Sequence, residues 1–324
     1  MSTGTSAASA EFTTSSETTD TRPQQEGEYL AWRPPTSSTP SANTTNNHAT
    51  TNTYTTYNPT TPIHPPPNGR PYNPPPPAAE KPLDPSILPN GSMSLSGIAT
   101  RAFGLGLILG LSSLTTIYML TVPQQQTTLW RIPFFVSSLC LFHFLEFWVT
   151  AQYNTKYADV SSFLLTSNGA AYNIAHGSAM LECVVSHYLF GSSTSSIIRT
   201  VSTALLLFGI LCMVVGQIVR TLAMATAGSN FNHIVQVRRR EGHVLVTGGI
   251  YSVLRHPSYF GFFWWGLGSQ LVLQNVVCFV GYALVLWRFF SSRIYREERF
   301  LIAFFGDEYI SYKSRTIVGI PFIA

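Results

Sequence analysis

The chain has 324 residues, of which only 10% are charged, against roughly 25% in typical soluble proteins, and 45% are hydrophobic. This composition excludes an ordinary soluble globular protein and indicates a membrane protein. The formal net charge is +4, but residues 1–97 hold 4 basic and 7 acidic side chains, whereas residues 98–324 hold 15 and 8. The positive charge therefore belongs to the apolar part, which lacks the extended basic, polar surface that nucleic acid requires, so no nucleic-acid partner is expected.

Residues 1–96 are rich in Ser, Thr, Asn and Pro, and 17 of the 21 prolines lie within residues 1–90. Too few aliphatic side chains are present to offset the entropy of ordering, so this segment is predicted to be a disordered tail with polyproline stretches. Its start lacks the basic and then apolar pattern of a cleaved signal peptide. The tail is either an inert extension or a proline-rich ligand for a partner.

Apolar runs in the remaining chain predict transmembrane helices. Residues 102–122 are 21 consecutive uncharged positions, enough to cross a hydrocarbon core of roughly 30 Å. The 31 uncharged residues of 257–287 would form a single helix of about 46 Å, so a hairpin of two helices broken near Gln274 and Asn275 is predicted instead. Three further spans are predicted at about 130–151, 169–190 and 197–225.

These runs predict an all-α, polytopic membrane helix bundle with about six transmembrane helices. Residues 97–228 would contain the first four, and residues 229–324 a loop, the helical hairpin and a terminal helix. Basic loops face the cytosol in membrane proteins, which places both termini there. The basic residues concerned are Arg238, Arg239, Arg240, Arg255, Arg293, Arg296, Arg299, Lys313 and Arg315.

Small and sulfur-containing residues within the predicted spans give weaker signals. Gly106 and Gly110 form a G-x-x-x-G pattern, which allows close approach of two helices and makes dimerisation a candidate property. The cysteines lie in apolar segments without paired or C-x-x-C spacing, so neither a disulfide nor a metal is predicted. They are Cys140, Cys183, Cys212 and Cys278.

The densest polar region is residues 231–259, between two apolar runs, where polar groups are costly unless they face a cavity or the interface. Thr247, Gly248 and Gly249 predict a turn, and Pro257 suits the first turn of the next helix. One interpretation is a capped helix start in a basic loop, and the other is a binding site for a polar cofactor. Spacing alone does not decide between them. The cofactor interpretation depends on Gln236, His243, Tyr251, His256 and Tyr259, all within 24 residues.

Four charged residues outside this region are further candidates for a functional site. Arg293 and Glu297 are four positions apart and share one helix face, so they form either a surface ion pair or a fork for a substrate carboxylate. Glu146 and Glu182 lie inside apolar spans, where a carboxylate is costly and is a functional candidate. Structural hydrogen bonding inside the bundle is the alternative for both.

Several motifs follow one another in the last third of the chain. They are F-N-H-I-V-Q from Phe231, G-H-V-L-V-T-G-G-I-Y from Gly242, R-H-P-S-Y-F-G-F-F-W-W from Arg255, R-I-Y-R-E-E-R-F-L-I from Arg293 and the terminal G-I-P-F-I. Together they resemble the protein-S-isoprenylcysteine O-methyltransferase family. The upstream F-H-F-L-E-F resembles that family's second span.

The resemblance implies a multi-pass enzyme of the endoplasmic reticulum membrane. It implies methylation, by S-adenosylmethionine, of the carboxylate of a carboxyl-terminal prenylated cysteine in proteolytically trimmed CaaX proteins such as small GTPases, with membrane lipid around the site. Arg293 and Glu297 would be the catalytic, substrate-binding pair. The cofactor contacts would fall on Gln236, His243, Val244, Leu245, Val246, Tyr251, His256, Pro257, Ser258 and Tyr259.

Three other interpretations stay open at this point. A sterol-reductase-like enzyme resembles the chain in its R-H-x-x-Y pattern and acidic helix but uses a nicotinamide cofactor. A phospholipid N-methyltransferase is a second relative. A non-catalytic membrane adaptor with a proline-rich tail belongs to a different class.

Overall fold

The computed structural model describes residues 83–122, 127–190, 195–239 and 241–324. All of them belong to the second of the two units into which the chain divides, Pro77–Ala324. Most of the predicted tail, residues 1–82, lies outside the described residues, as does Arg240. The regular elements of the described part are helices, and one isolated parallel bridge joins Leu254 to Ile317.

Seven α-helices follow one another in the described part. Their bounds are α1 (Leu95–Thr121), α2 (Arg131–Tyr153), α3 (Gly169–Phe190), α4 (Ser196–Ala227), α5 (Pro257–Leu273), α6 (Val277–Phe305) and α7 (Asp307–Ser314). A short 3₁₀ turn precedes α1, at Pro85–Ile87, and others lie between the helices, at Thr128–Trp130, Thr155–Tyr157, Val160–Phe163, Gly228–Asn230 and Gly249–Ser252.

The prediction of an all-α membrane bundle is confirmed, and helices occupy all six predicted span positions. Among the described residues, four helices are long and apolar enough to cross a membrane by length and composition. Their ranges are Leu95–Thr121, Thr128–Tyr153, Ser196–Asn230 and Val277–Phe305. The other two fall short because α3 carries polar side chains and α5 has only 17 residues.

The first helix begins earlier than its apolar run predicts. Leu95 is its first residue, and Ser94 caps it by accepting a hydrogen bond from the Gly97 backbone N–H. The Val160 N–H donates to the Ser92 carbonyl at 2.8 Å, which ties this segment to the loop after α2. Local structure therefore starts before the predicted boundary of the tail at residue 96, because a serine cap and a long-range hydrogen bond extend it beyond the uncharged run.

The predicted helical hairpin is confirmed, and it is held to the bundle by unusually close packing of α4 against α5. A Cβ atom on Gly216 would lie 2.6 Å from the Gly261 carbonyl oxygen, and one on Gly268 would lie 2.7 Å from the Gly209 carbonyl oxygen. The two backbones thus touch at glycine pairs seven residues apart on each helix. This contact fixes the position of the first turn of α5 relative to the end of α4.

Aromatic and aliphatic side chains fill the space between α2, α4 and α5. Phe135, Phe142 and Trp265, large buried residues of one core cluster, join α2 to α5, and Met213 of α4 packs in the same cluster. A second cluster joins α5, α6 and the carboxyl terminus. The last half of α6 carries charge, and since its 29 residues span about 44 Å, this half can extend beyond a hydrocarbon core of roughly 30 Å.

Candidate functional site

A cleft lies where the end of α4, the loop of residues 228–256, the first turn of α5, the end of α6 and α7 meet. It encloses about 700 Å³ of empty space, part of which is open to solvent. The cavity itself, without the open solvent, has a volume of about 120 Å³. The polar and aromatic lining residues are Asn230, Phe231, Asn232, His243, Tyr251, Arg255, His256, Ser258, Tyr259, Glu297, Phe305, Tyr309 and Tyr312.

The predicted cofactor residues converge on this cleft. Except for Gln236, all of them line it: His243, Val244, Leu245, Val246, Tyr251, His256, Pro257, Ser258 and Tyr259. Gln236 lines a smaller adjoining cavity, which shares Asn230, His243 and Glu297 with the main cleft. The structure thus brings residues from three separate motifs to one surface.

Hydrogen bonds fix the loop that forms one wall of the cleft. The Val244 N–H donates to Asn230 Oδ1 at 3.1 Å. The Tyr251 hydroxyl donates to the Ala223 carbonyl at 3.3 Å, and the Tyr312 hydroxyl donates to the Tyr251 carbonyl at 2.7 Å. Burial raises the pKa of Tyr251 above its usual range and raises that of Tyr312 to about 12. Both phenols therefore stay protonated near neutral pH and act as donors.

A buried carboxylate holds the R-H-P motif in place behind the cleft. Arg255 Nε donates to Glu298 Oε1 at 2.6 Å, and His256 Nε2 lies 3.3 Å from the same oxygen. Lys313 of α7 pairs with the other oxygen of Glu298. The His256 ring stacks on that of Tyr259, with centroids 5.5 Å apart and planes inclined by 5°. The orientation of both rings is thus determined by α6 and α7 as well as by their own loop.

Arg293 and Glu297 lie on opposite sides of Tyr259. Arg293 Nε donates to the Tyr259 hydroxyl at 2.7 Å, and that hydroxyl donates in turn to Glu297 Oε2. In the described part of the chain, no ion pair includes Arg293. The surface ion pair between Arg293 and Glu297 is therefore not formed. Glu297 lines the cleft, whereas Arg293 does not.

The guanidinium of Arg293 is held beside aromatic rings and a loop carbonyl. Its Cζ lies 5.3 Å from the Tyr259 ring centroid and 5.9 Å from that of the exposed Phe289. Its Nη2 donates to the His233 carbonyl oxygen. Cationic, half-buried and free of a carboxylate partner within the described residues, this group is suited to bind an incoming anion.

The two carboxylates predicted inside apolar spans have different surroundings. Glu146 of α2 forms a bidentate ion pair with Arg220 of α4 directly behind Ser258. Glu182 of α3 instead accepts hydrogen bonds from the Val276, Val277 and Cys278 backbone N–H groups. Glu182 therefore caps α6, and the structural interpretation is correct for it.

Sequence reasoning missed Arg220 and several lining residues. Arg220 is the one charged residue between Arg199 and Arg238, and the cost of such a charge in a membrane helix was a usable signal. The side chains of Asn230, Leu301, Phe305 and Tyr309 carry no such signal. They line the cleft only because helices distant in sequence meet there.

The fold and the cleft together define a class, a multi-pass membrane helix bundle with a small-molecule site at the junction of its last helices. The sequence profile of the isoprenylcysteine carboxyl methyltransferase family matches residues 203–303. That segment runs from α4 to the end of α6 and contains every predicted site residue.

Full-length relatives extend the match over most of the described chain. The protein-S-isoprenylcysteine O-methyltransferase of Saccharomyces cerevisiae is 43% identical over 229 residues, which cover 71% of this chain and 92% of that protein. The Homo sapiens protein of the same name is 42% identical over 226 residues, covering 70% and 75%. The chain belongs to the isoprenylcysteine carboxyl methyltransferase family and is a membrane methyltransferase.

A solved structure supports the same conclusion about the fold. The structure described as the eukaryotic intramembrane Ras methyltransferase, isoprenylcysteine carboxyl methyltransferase, superimposes with a TM-score of 0.61 at 36% identity. The match covers 70% of this chain and 77% of that one.

Proposed function

We propose that the chain transfers a methyl group from S-adenosylmethionine to the α-carboxylate of a carboxyl-terminal prenylated cysteine. The proposal is carried by one arrangement: a cleft lined by residues from four linked motifs is separated only by Tyr259 from an arginine without a carboxylate partner in the described chain. The names of the relatives from yeast and human, which specify an S-isoprenylcysteine substrate, support it.

The lining of the cleft fits S-adenosylmethionine. The stacked rings of His256 and Tyr259 present π faces, which attract a cation. Glu297 adds a carboxylate on the same surface. When bound, S-adenosylmethionine supplies a methyl group activated by a sulfonium. Tyr251, His243 and residues 244–246 would hold the rest of the molecule, with Gln236 at the adjoining cavity.

Arg293 would bind the substrate carboxylate from the side of α6 that carries Phe289. An α-carboxylate has a pKa of about 3.3–3.7 and is already ionised, so no general base is needed. The residues of the site need only align the carboxylate, exclude water and screen its charge. The carboxylate would bind at Nη1 and at the second N–H of Nη2, since Nε donates to the Tyr259 hydroxyl and one N–H of Nη2 to the His233 carbonyl.

The prenyl chain would lie against the apolar surface of the bundle. Each buried CH₂ group contributes about 0.8 kcal/mol, so a prenyl chain provides much of the binding energy. Phe289 is half exposed beside Arg293 and begins an apolar surface that continues along α6 toward Leu284 and Val285. The substrate can therefore enter from the bilayer with its carboxylate leading.

The orientation of the enzyme in the membrane follows from its exposed arginines. Arg238, Arg239, Arg296 and Arg299 are exposed near the cleft and would face the cytosol. We place both termini and the cleft on that side of the endoplasmic reticulum membrane, where trimmed prenylated proteins such as small GTPases would reach it. Dimerisation through Gly106 and Gly110 stays a prediction.

Methyl transfer by the purified full-length chain tests this function. Tritiated methyl groups from S-adenosylmethionine should appear in an S-prenylated cysteine with a free carboxylate, and neither in its unprenylated counterpart nor in its methyl ester. Transfer to a phospholipid amine instead would indicate a phospholipid N-methyltransferase, and nicotinamide-dependent reduction of a sterol would indicate a reductase. Absence of every activity in protein that retains its fold would favour the adaptor.

A further inference from the structure

The ion pair between Arg220 and Glu146 lies inside the bundle, behind the cleft. Its residues are 74 positions apart in sequence, and their side chains are 8% and 1% exposed. Arg220 Nη2 donates to Glu146 Oε2 at 2.7 Å, and Nε donates to the other oxygen, so the fork binds bidentately. Burying two charges among apolar helices costs desolvation free energy. Their attraction offsets this cost only when the geometry and further hydrogen bonds are favourable.

The remaining edge of the guanidinium contacts the wall of the cleft. Arg220 Nη1 donates to Ser258 Oγ at 2.9 Å and to the Ser258 carbonyl at 3.2 Å. Ser258 is in the first turn of α5 and lines the cleft beside His256, Pro257 and Tyr259. A single side chain therefore joins α2, α4 and the start of α5 at the point where the predicted cofactor contacts begin.

The carboxylate of the pair also lies near the loop of residues 231–235. Glu146 Oε2 is 3.9 Å from His233 Nδ1, beyond hydrogen-bond distance, and burial lowers the pKa of this histidine, so the two groups form no ion pair near neutral pH. The carbonyl of His233 accepts the hydrogen bond from Arg293, the arginine proposed to bind the substrate. The Arg220 guanidinium is also enclosed by the rings of Phe142 and Phe262, at 5.3 and 5.4 Å from its Cζ. These rings exclude water and prevent the pair from moving independently of the helices.

We infer that Arg220 and Glu146 are positioning residues that act through Ser258 on the cofactor side of the cleft. The inference rests on the proposed function and adds two intramembrane residues to it. Neither residue is placed at the reacting atoms. Their effect is to hold the first turn of α5 in position against α2 and α4.

Arg220→Lys tests the inference because it keeps a positive charge opposite Glu146 and removes the second edge that reaches Ser258. We expect the KM for S-adenosylmethionine to rise about tenfold or more, the ratio expected for loss of charge-assisted hydrogen bonds. Ser258→Ala should raise it less, because the carbonyl contact remains. The double variant should have the same KM as Arg220→Lys alone, since both changes remove the same hydrogen bond between Arg220 and the Ser258 hydroxyl.

Glu182→Gln is the matched control, an intramembrane carboxylate that caps a helix and borders neither cavity. It should leave the KM for both substrates unchanged. Unchanged KM values in Arg220→Lys together with a lowered Tm would assign a purely structural role and overturn the inference. Multiplicative effects in the double variant would show that Arg220 does not act through Ser258, and would overturn it too.

Binding of tritiated S-adenosylmethionine to the purified chain separates this inference from the proposed function. If the wild-type chain binds S-adenosylmethionine but does not methylate prenylcysteine, the substrate assignment fails. The positioning role is then still decided by the dissociation constants of the same four variants, with the same ratios expected. Equal dissociation constants in wild type and Arg220→Lys would contradict it.

Discussion

Among the polar clusters of the described residues, two lie at opposite ends of α5. The cluster at the amino end joins Arg220, Glu146 and Ser258 through side-chain contacts and borders the cleft. The cluster at the carboxyl end closes the turn between α5 and α6: Asn275 Nδ2 donates to the Ala179 carbonyl and to Gln270 Oε1, both at 2.9 Å. Neither cavity includes a residue of this second cluster.

The difference lies in what the polar groups satisfy. At the carboxyl end, Glu182 and Asn275 mainly satisfy backbone groups that a chain reversal leaves unpaired, which stabilises the fold. At the amino end, Glu146 pairs with the charge of Arg220. The remaining N–H donors of Arg220 bind Ser258 in the wall of the cleft. A carboxylate in an apolar helix is therefore not by itself evidence for a functional site, because its partners decide its role.

Removing the carboxylate at the amino end should have the largest effect. Glu146→Gln leaves the guanidinium of Arg220 buried without a counter-charge, so the free energy of unfolding should fall by about 3–5 kcal/mol. Thermal unfolding of the purified protein in detergent measures this. Replacing both residues, Glu146→Gln with Arg220→Met, should recover part of the stability without restoring activity. If Glu146→Gln alone kept the wild-type Tm, the proposed difference between the two polar clusters would be wrong.

Arg293→Lys should have the next largest effect, on activity and not on folding. Lysine keeps the charge but loses the bidentate fork, so kcat/KM should fall about 10- to 150-fold, corresponding to about 1.5–3 kcal/mol. Steady-state kinetics at matched protein levels measure it. The controls are Arg296→Lys and Arg299→Lys, both exposed on the same helix. Equal, mild effects at all three positions would refute a role for Arg293 in binding the carboxylate.

Changing the carboxylate at the other end should lower stability alone. Glu182→Gln keeps one acceptor oxygen for the first turn of α6 but removes the negative charge, so we expect a loss of about 1 kcal/mol in the free energy of unfolding. Thermal unfolding and kcat/KM are measured on the same preparation. A fall in kcat/KM without a change in Tm would mean that the carboxyl-end cluster also serves the site.

Deleting residues 1–76 should have the smallest effect. Both clusters belong to the unit Pro77–Ala324, and the deleted segment has few apolar side chains. Specific activity should be unchanged in a methyl-transfer assay. A deletion that continues through Ser94 should lower stability, since this residue caps α1. A loss of more than about tenfold with the shorter deletion, equal to about 1.4 kcal/mol, would show that the tail contributes to the site.

Much of the fold was predictable because long apolar runs report helices directly. The hairpin broken at Gln274 and the first-turn position of Pro257 are both confirmed. The closest helix contact was not identified: Gly106 and Gly110 have open space around them, whereas Gly216 and Gly261 bring α4 and α5 together. Glycine spacing on one helix does not reveal whether a partner helix lies opposite.

The sequence by itself determined where the helices lie and that they form a membrane bundle, and through the resemblance of linked motifs it predicts the residues of the site. Only the tertiary structure decided which polar groups are partners: Arg220 with Glu146 across 74 positions, and Tyr259 between Arg293 and Glu297. The reason is physical. Hydrophobic periodicity depends on neighbours within a few turns, whereas the pairing of distant side chains depends on how helices cross and in which register they pack.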